Sequence, residues 1–372
     1  RMRVLVWHVH GGWMDGFLRG GHEYLVPVEP GHPLPVRRPN VREIPPGELR
    51  GAEVDAVVLQ RTGEIAEAAR LLGRAPGRDV AAVFVEHNTP KRLPVTERHP
   101  LAGRDDIPVV HVTRFNRLVW DCGDAPTRVV EHGVPDPGPR YTGELPALGV
   151  VVNEPVRRGR ITGTDLLPRF AAEAPIHCFG IGVEELPEAL GLGSERLRPL
   201  GDLPTGRLHL ELARRRAYVH TSRWTSLGLS LLEAMHLAMP VLALAATEAP
   251  RAVPPEAGAI SADPDELAAV ARLLIDDPDE ARSRGRAARA FALEHYGLAR
   301  FLADWDEVLH EQVEAHAARR RLRGGSHVAS HGTPPAAVSA AAVSAAAVSA
   351  AAPRSRGIAM GAAPPVERGA DR

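Results

Sequence analysis

Thr225-Ser-Leu-Gly-Leu-Ser-Leu-Leu-Glu-Ala-Met235, followed by Met239-Pro240-Val-Leu-Ala-Leu244, decides the reading of this chain. A glycine-containing turn opens a short helix over Leu229–Leu237, the helix carries one acidic residue, Glu233, and Pro240 divides it from an apolar strand. The N–H groups of a first helical turn lack partners and carry partial positive charge, so such a turn suits an anion. Glu233 stands about one turn further on, where a carboxylate accepts hydrogen bonds from sugar hydroxyls. The two together describe a pocket for a phosphate with a ribose attached.

Outward from this stretch the chain alternates apolar runs with helix-capable segments. Val4–Trp7, Ala56–Gln60, Ala81–Val85, Val109–Val112 and Arg128–Val130 read as buried strands of a parallel sheet. Gly133–Pro146, rich in Pro and Gly, reads as a linker. A second series follows at Gly149–Val152, Ile176–Phe179, Ala217–His220, Val241–Ala245 and Ala259–Ser261, with a helix expected over Leu208–Arg216. Asp263-Pro264 and Asp277-Pro278 each combine an N-cap residue with proline at the first helical position. Alternation in both halves implies two Rossmann-like domains. Gly297–Arg323 reads as a helix with Phe301, Leu302, Trp305, Val308 and Leu309 on one broad face. From Gly324 onward Ala-Ala-Val-Ser-Ala repeats, flanked by Pro, Gly and Arg, offer little apolar surface to offset the entropy of ordering, and a disordered tail is expected.

At 372 residues the chain has room for two substantial cores, and its net charge of −1 suggests neither nucleic acid nor an acidic surface as partner. Basic residues are almost all arginine, Lys91 being the only lysine. Cys122 and Cys178 lack metal spacing, so a reduced, cytoplasmic protein is expected. The N-terminus reads as a strand rather than a signal peptide, and no apolar run approaches the ~18 residues of a membrane span.

Leu227-Gly228-Leu229, Leu232-Glu233-Ala234-Met235 and Pro240-Val241 resemble the C-terminal signature of GT-B glycosyltransferases, specifically the retaining enzymes of family 4. Two positions of that stretch depart from it: Thr225 stands where the pattern has its first glutamate, and Ala238 where it usually has glycine. The resemblance covers roughly residues 2–322 and is most specific over 149–310. It implies an α/β GT-B fold, with two Rossmann-like domains facing across a cleft and a C-terminal helix crossing back to the first. The corresponding division is an acceptor domain at 2–138, a nucleotide-sugar domain at 139–296, the crossing helix at 297–323 and the tail at 324–372.

By the same resemblance, Glu233 binds the donor's ribose hydroxyls, and Thr225, Ser226, Leu227 and Gly228 line the diphosphate and donor sugar. Aligning Gly163-Thr-Asp-Leu-Leu167 puts Arg157 on the family's phosphate-binding arginine and Thr162 on its lysine. Arg157 with Arg160 or Arg158 is therefore the expected clamp on the leaving group, since guanidinium forks suit phosphate oxygens. His87, just after an apolar strand, falls where the family carries an active-site histidine. His10-Gly11-Gly12 forms a cleft loop, and His132-Gly133-Val134 matches a hinge.

The implied activity is transfer of a hexose from a nucleoside diphosphate sugar to an acceptor hydroxyl on a glycan, lipid or small molecule, with retention and without metal or other cofactor. A monomer or weak dimer is expected. The arginines of Arg319–Arg323 suit a helix C-terminus and offer a weak peripheral contact to anionic lipid. Alternatives are a nucleotide-sugar binding or scaffold protein without turnover, to which Thr225 and Thr162 point, and a same-fold nucleotide-sugar epimerase. A metal hydrolase would need His8 and His10, one residue apart on a strand face, joined by His87, His111, His132 or Asp136.

Overall fold

The computed structural model describes residues 1–328 apart from Val36, so the expected tail lies outside the described residues from position 329 on. The N-terminal half builds a sheet from β1 (Arg3–Val6), β2 (Glu23–Pro27), β3 (Val41–Ile44), β4 (Ala56–Leu59), β5 (Ala81–Glu86), β6 (Val109–His111) and β7 (Thr127–Val129). All are parallel, in the order β3-β2-β1-β4-β5-β6-β7. Every residue of β4 and β5 is buried, as continuous apolar strands covered on both faces should be. Helices α1 (Gly11–Phe17), α2 (Gly63–Leu72) and α3 (Arg114–Val119) follow β1, β4 and β6.

The second sheet comprises β8 (Leu145–Val151), β9 (Ile176–Phe179), β10 (Leu197–Pro199), β11 (Arg215–His220), β12 (Val241–Leu244) and β13 (Gly258–Ser261). Its order is β10-β9-β8-β11-β12-β13, again parallel. Short helices α4 (Pro155–Arg158), α5 (Leu167–Ala171), α6 (Leu186–Leu190), α7 (Thr205–Leu212), α8 (Leu229–His236) and α9 (Ala249–Ala252) precede α10 (Pro264–Asp276) and α11 (Pro278–His295). The Asp263 and Asp277 side chains cap α10 and α11 by accepting from the first-turn amides, as their sequence implies.

Three strands escaped the sequence reading. β2 ends on Pro27, β3 has an edge strand's half-exposed Val-Arg-Glu-Ile, and β10 is three residues at the other sheet's edge. The helix expected over Leu208–Arg216 stops at Leu212, and Arg215 and Arg216 are strand residues instead. Both guanidiniums are buried because partners await them. Arg215 lies 5.0 Å over the Phe179 ring and bonds His177 at 3.0 Å, while Arg216 donates to the carbonyls of Gly143 and Leu274. A run of arginines is polar in sequence, yet each can go inside when its donors are satisfied.

Helix α12 (Leu298–Val328) confirms the return of the chain to the first half. Phe301, Trp305, Val308 and Leu309 pack into the same core as Val4, Trp13, Phe17, Tyr24 and Val83. The two crossings between halves lie side by side: the Val134 N–H donates to the Tyr296 carbonyl, and Arg300 donates to the carbonyls of Glu131 and His132. A Cβ on Gly133 would fall 2.2 Å from Phe301, so only glycine permits this contact.

Just beyond the end of α8, Ala238 has a left-handed φ of 68°. The Ala238 and Met239 amides bond back to the carbonyls of Met235 and Ala234, a helix-stop geometry that normally calls for glycine. Replacing Ala238 by glycine should stabilise the chain by about 1 kcal/mol. Urea unfolding of Ala238→Gly would show this as a higher midpoint at unchanged slope.

Candidate active site

In each sheet the strand order reverses once, between β1 and β4 and between β8 and β11. Loops leaving the carboxyl ends of strands at such a reversal splay apart and leave a crevice. The candidate residues follow these strand ends: His10 after β1, Arg157 and Arg158 on α4 and Arg160 just beyond it after β8, Ser226 to Gly228 after β11, and His87 directly after the neighbouring β5.

On the N-terminal wall, the rings of His10 and His87 lie 4.0 Å apart, and Trp13 meets His87 edge-on at 5.1 Å. His87 Nε2 is 3.0 Å from Gln60 Oε1. Burial holds His87 well below the ordinary imidazole value, with His10 and His132 adding to the effect. His10 is lowered by burial too, and enclosure brings His132 to about 4. This wall therefore presents neutral imidazoles at pH 7. A Cβ on Gly12 would come within 2.8 Å of the Leu229 side-chain tip in the other half, which would have to shift, whereas one on Gly11 would meet nothing.

On the opposite wall the three arginines have different surroundings. Arg157 is exposed and paired with Glu154, and Arg160 is exposed and bonds Asp165 at 3.0 Å. Arg158 is half-buried, and among the described residues its side chain makes one hydrogen bond, to the Asn153 carbonyl at 3.5 Å. Burial, then the neighbouring Arg157, holds it below the usual guanidinium value. Thr162 is enclosed, bonding Gly159 and Thr164 and accepting at its carbonyl from Thr221. No charge can stand where the resemblance has lysine. Gly163 (φ 72°) lets this loop lie against the Thr221 carbonyl, 2.0 Å from where a Cβ would be.

The quoted stretch closes the site. Ser226 Oγ donates to the His87 carbonyl across the two halves at 2.7 Å, while its own carbonyl accepts from Thr247. Among the described residues the N–H groups of Leu227 and Gly228 meet no acceptor, leaving them for an anion. Gly228 caps α8, and its missing Cβ makes room for the His220 ring, 2.9 Å from that position. Leu227 is buried in the core, and Thr225 is half-buried with no side-chain bond among the described residues. Glu233 is part-exposed and lies 3.6 Å from the Nε2 of His209, a ring nitrogen with no hydrogen bond.

Further contacts draw the halves together. Trp224 Nε1 donates to the Pro90 carbonyl at 2.7 Å, Arg251 pairs with Glu131, and the Phe115 amide donates to Glu248 at 2.7 Å. Glu248 is 4% exposed and its second oxygen has no hydrogen-bond partner, so burial raises its pKa. Gln60, His220, Trp224 and Glu248 were missed in the sequence. The usable signal was a polar residue at the carboxyl end of a buried strand, Gln60 directly after β4 and His220 as the last residue of β11. Trp224 and Glu248 depend on docking of the halves, which no local pattern records. Two surface depressions of about 630 and 460 Å³, the larger between Ile65, Arg78, Arg104 and Arg323, contain none of these residues.

The hydrolase ligand set does not assemble. Asp136 is held by Arg289 and His111 faces Cys122, and among the described residues no three His, Cys, Asp or Glu side chains converge on a metal position. No described helix is long and apolar enough to cross a membrane.

Known proteins share this architecture. Residues 183–291 match the family described as Glycosyl transferases group 1. Sucrose-phosphate synthase from Thermosynechococcus elongatus superposes with a TM-score of 0.66 at 15% identity, over 85% of this chain and 100% of that one. Anabaena HepE, solved in complex with UDP and glucose, gives 0.64 at 17%, over 83% and 100%. A mutant of TarM from S. aureus, in complex with fondaparinux, alpha-GlcNAc-glycerol and UDP, gives 0.57 at 17%, over 68% of this chain and 55% of TarM, so the chain spans about half of TarM's length. Curated proteins give no match to the sequence. The fold is that of the GT-B glycosyltransferases. Within its C-terminal half, residues 183–291 are similar to the glycosyl transferases group 1 domain.

Enclosure lowers His132 and His220 to about 4 each. An unfolded histidine takes up its proton near 6.5, so between pH 6.5 and 4 the unfolded chain binds protons that the folded chain refuses. Stability is thus present above pH 6.5 and lost as the pH falls towards 4, each group removing on the order of 3 kcal/mol. Urea midpoints across this range should show the loss, and His220→Gln should flatten it.

Proposed function

We propose that this protein transfers a hexose from a nucleoside diphosphate sugar to an acceptor hydroxyl, retaining the anomeric configuration and working without a metal. The observation that carries the reading is the face-to-face placement of two different walls. Neutral His10 and His87 line the first wall; Ser226, bonded to the His87 carbonyl from the other half, leads into the free amides of Leu227 and Gly228, and the half-buried Arg158 follows β8. Transfer develops negative charge on the departing diphosphate, and fixed N–H dipoles with a guanidinium stabilise that charge without reorganising. Arg158, which forms no ion pair among the described residues, takes the central role in this clamp. Arg157 and Arg160 contribute once a phosphate competes with Glu154 and Asp165.

Glu233 holds the ribose, with His209 behind it. The donor belongs to residues 139–296 and the acceptor to 2–138. UDP and glucose in the HepE complex, and UDP with a glycosylated glycerol in the TarM complex, are the kinds of ligand this arrangement suits. Contacts across the cleft, such as Ser226 to His87 and Trp224 to Pro90, exclude water and so limit donor hydrolysis. The enzyme acts in the cytoplasm, as a monomer or weak dimer, with at most weak contact to a membrane surface.

A nucleotide-sugar binding protein without turnover is the second reading, favoured by Thr225 and enclosed Thr162, which supply neither the carboxylate nor the ammonium of the family pattern. Calorimetric titration with UDP, GDP and ADP in EDTA tests the donor site. One nucleotide should be preferred, and Glu233→Ala should weaken it about tenfold, or about 1.4 kcal/mol. Absence of binding by all three would sink both readings.

A further inference from the structure

Gln60 follows β4, between Trp7 at the end of β1 and His87 at the end of β5, and is 5% exposed. Its amide is not free to turn. Nε2 lies 2.7 Å from the Trp7 carbonyl and 3.6 Å from Met14 Sδ, both acceptors only. Reversing the amide would set oxygen against the carbonyl oxygen. The backbone is fixed as well, because the Gln60 N–H donates to the buried Glu64 carboxylate at 2.7 Å. Oε1 therefore faces His87 Nε2 at 3.0 Å as an acceptor. An imidazole nitrogen in contact with an acceptor must carry the proton.

We propose that Gln60 is a positioning residue that locks His87 in the Nε2–H form, leaving Nδ1 as the acceptor for a hydroxyl of the sugar substrate. The second half of this statement rests on the glycosyltransferase reading; the first does not. Nδ1 has no hydrogen-bond partner among the described residues and is not one of the fully enclosed unpartnered atoms. The groups facing the ring are His10, Trp13 and His132, and burial keeps all the imidazoles neutral, so no nearby cation competes for the lone pair. The lock passes along three adjacent strand ends, from the Trp7 carbonyl through Gln60 to His87. This explains why a glutamine occupies the switch point of the first sheet.

The test is nitrogen NMR of the full chain carrying nitrogen-15 histidine, with His87 identified by its absence in His87→Gln. In the free protein His87 should show the proton on Nε2. In Gln60→Met, which keeps the shape but removes both bonds, the signal should move towards a mixture of the two forms. In Gln60→Glu the Nε2 proton should stay, and His87 should take its second proton at a higher pH than in the parent, a shift that a purely structural role would not produce. With a turned-over donor, Gln60→Met should lose about tenfold in kcat at unchanged affinity for the nucleoside diphosphate, whose site lies in the other half. Finding the proton on Nδ1, or an unchanged tautomer in Gln60→Met, would overturn the lock. Loss of tautomer control without loss of kcat would overturn the role of Nδ1. Absence of turnover by the parent protein defeats the glycosyltransferase reading and the Nδ1 role with it, while the tautomer spectra still decide the lock.

Discussion

The packing of α12 on Trp13 is the contact on which the cleft depends. Trp305 meets Trp13 edge-on at 5.5 Å and Phe17 at 5.3 Å, and Phe301 meets Trp13 at 6.2 Å. Trp13 in turn bears on the His87 ring. The last helix of the chain thus supports the first loop after β1, and through it a side chain of the active-site wall. Large aromatic side chains bury much area in fixed edge-to-face geometry. Such a cluster holds position better than a set of flexible aliphatic contacts. Because the Glu131–Val134 strap and the start of α12 cross between the halves together, any opening of the cleft has to pivot next to this cluster.

The two walls divide the chemistry by charge. The N-terminal wall is made of imidazoles kept neutral by enclosure, each a hydrogen-bonding group at pH 7 rather than a cation. The C-terminal wall is made of backbone amides and guanidiniums. A sugar hydroxyl suits the first and a diphosphate the second. Thr225 supplies no carboxylate where the family pattern has its first glutamate, and its side chain makes no hydrogen bond among the described residues.

Much of the fold was legible because it rests on patterns with a local cause. The Val-rich runs of β4, β5 and β12, the Asp-Pro starts of α10 and α11 and the apolar face of α12 could all be named from sequence. Edge strands such as β3 and β10 were not, since half-exposed residues carry no clear alternation. Arg215 and Arg216 misled because burial of a guanidinium depends on partners, Phe179 and Gly143 among them, that lie far away in sequence. Of the candidate site residues, Ser226, Gly228, His87 and Glu233 could be named from strand ends and the quoted motif. The order among Arg157, Arg158 and Arg160 depended on which of them finds a carboxylate, and the role of Gln60 on three strand ends meeting in space.

The most direct test is the release of nucleoside diphosphate from a panel of nucleotide sugars, in EDTA, by the parent protein and by His87→Ala. Sugar transfer through this cleft predicts that one donor is turned over, that suitable acceptors accelerate release, that the product keeps the donor's anomeric configuration, and that His87→Ala loses most of the rate while still binding the nucleotide. Tight donor binding with no release under any acceptor would contradict it and leave a nucleotide-sugar binding protein in the same fold.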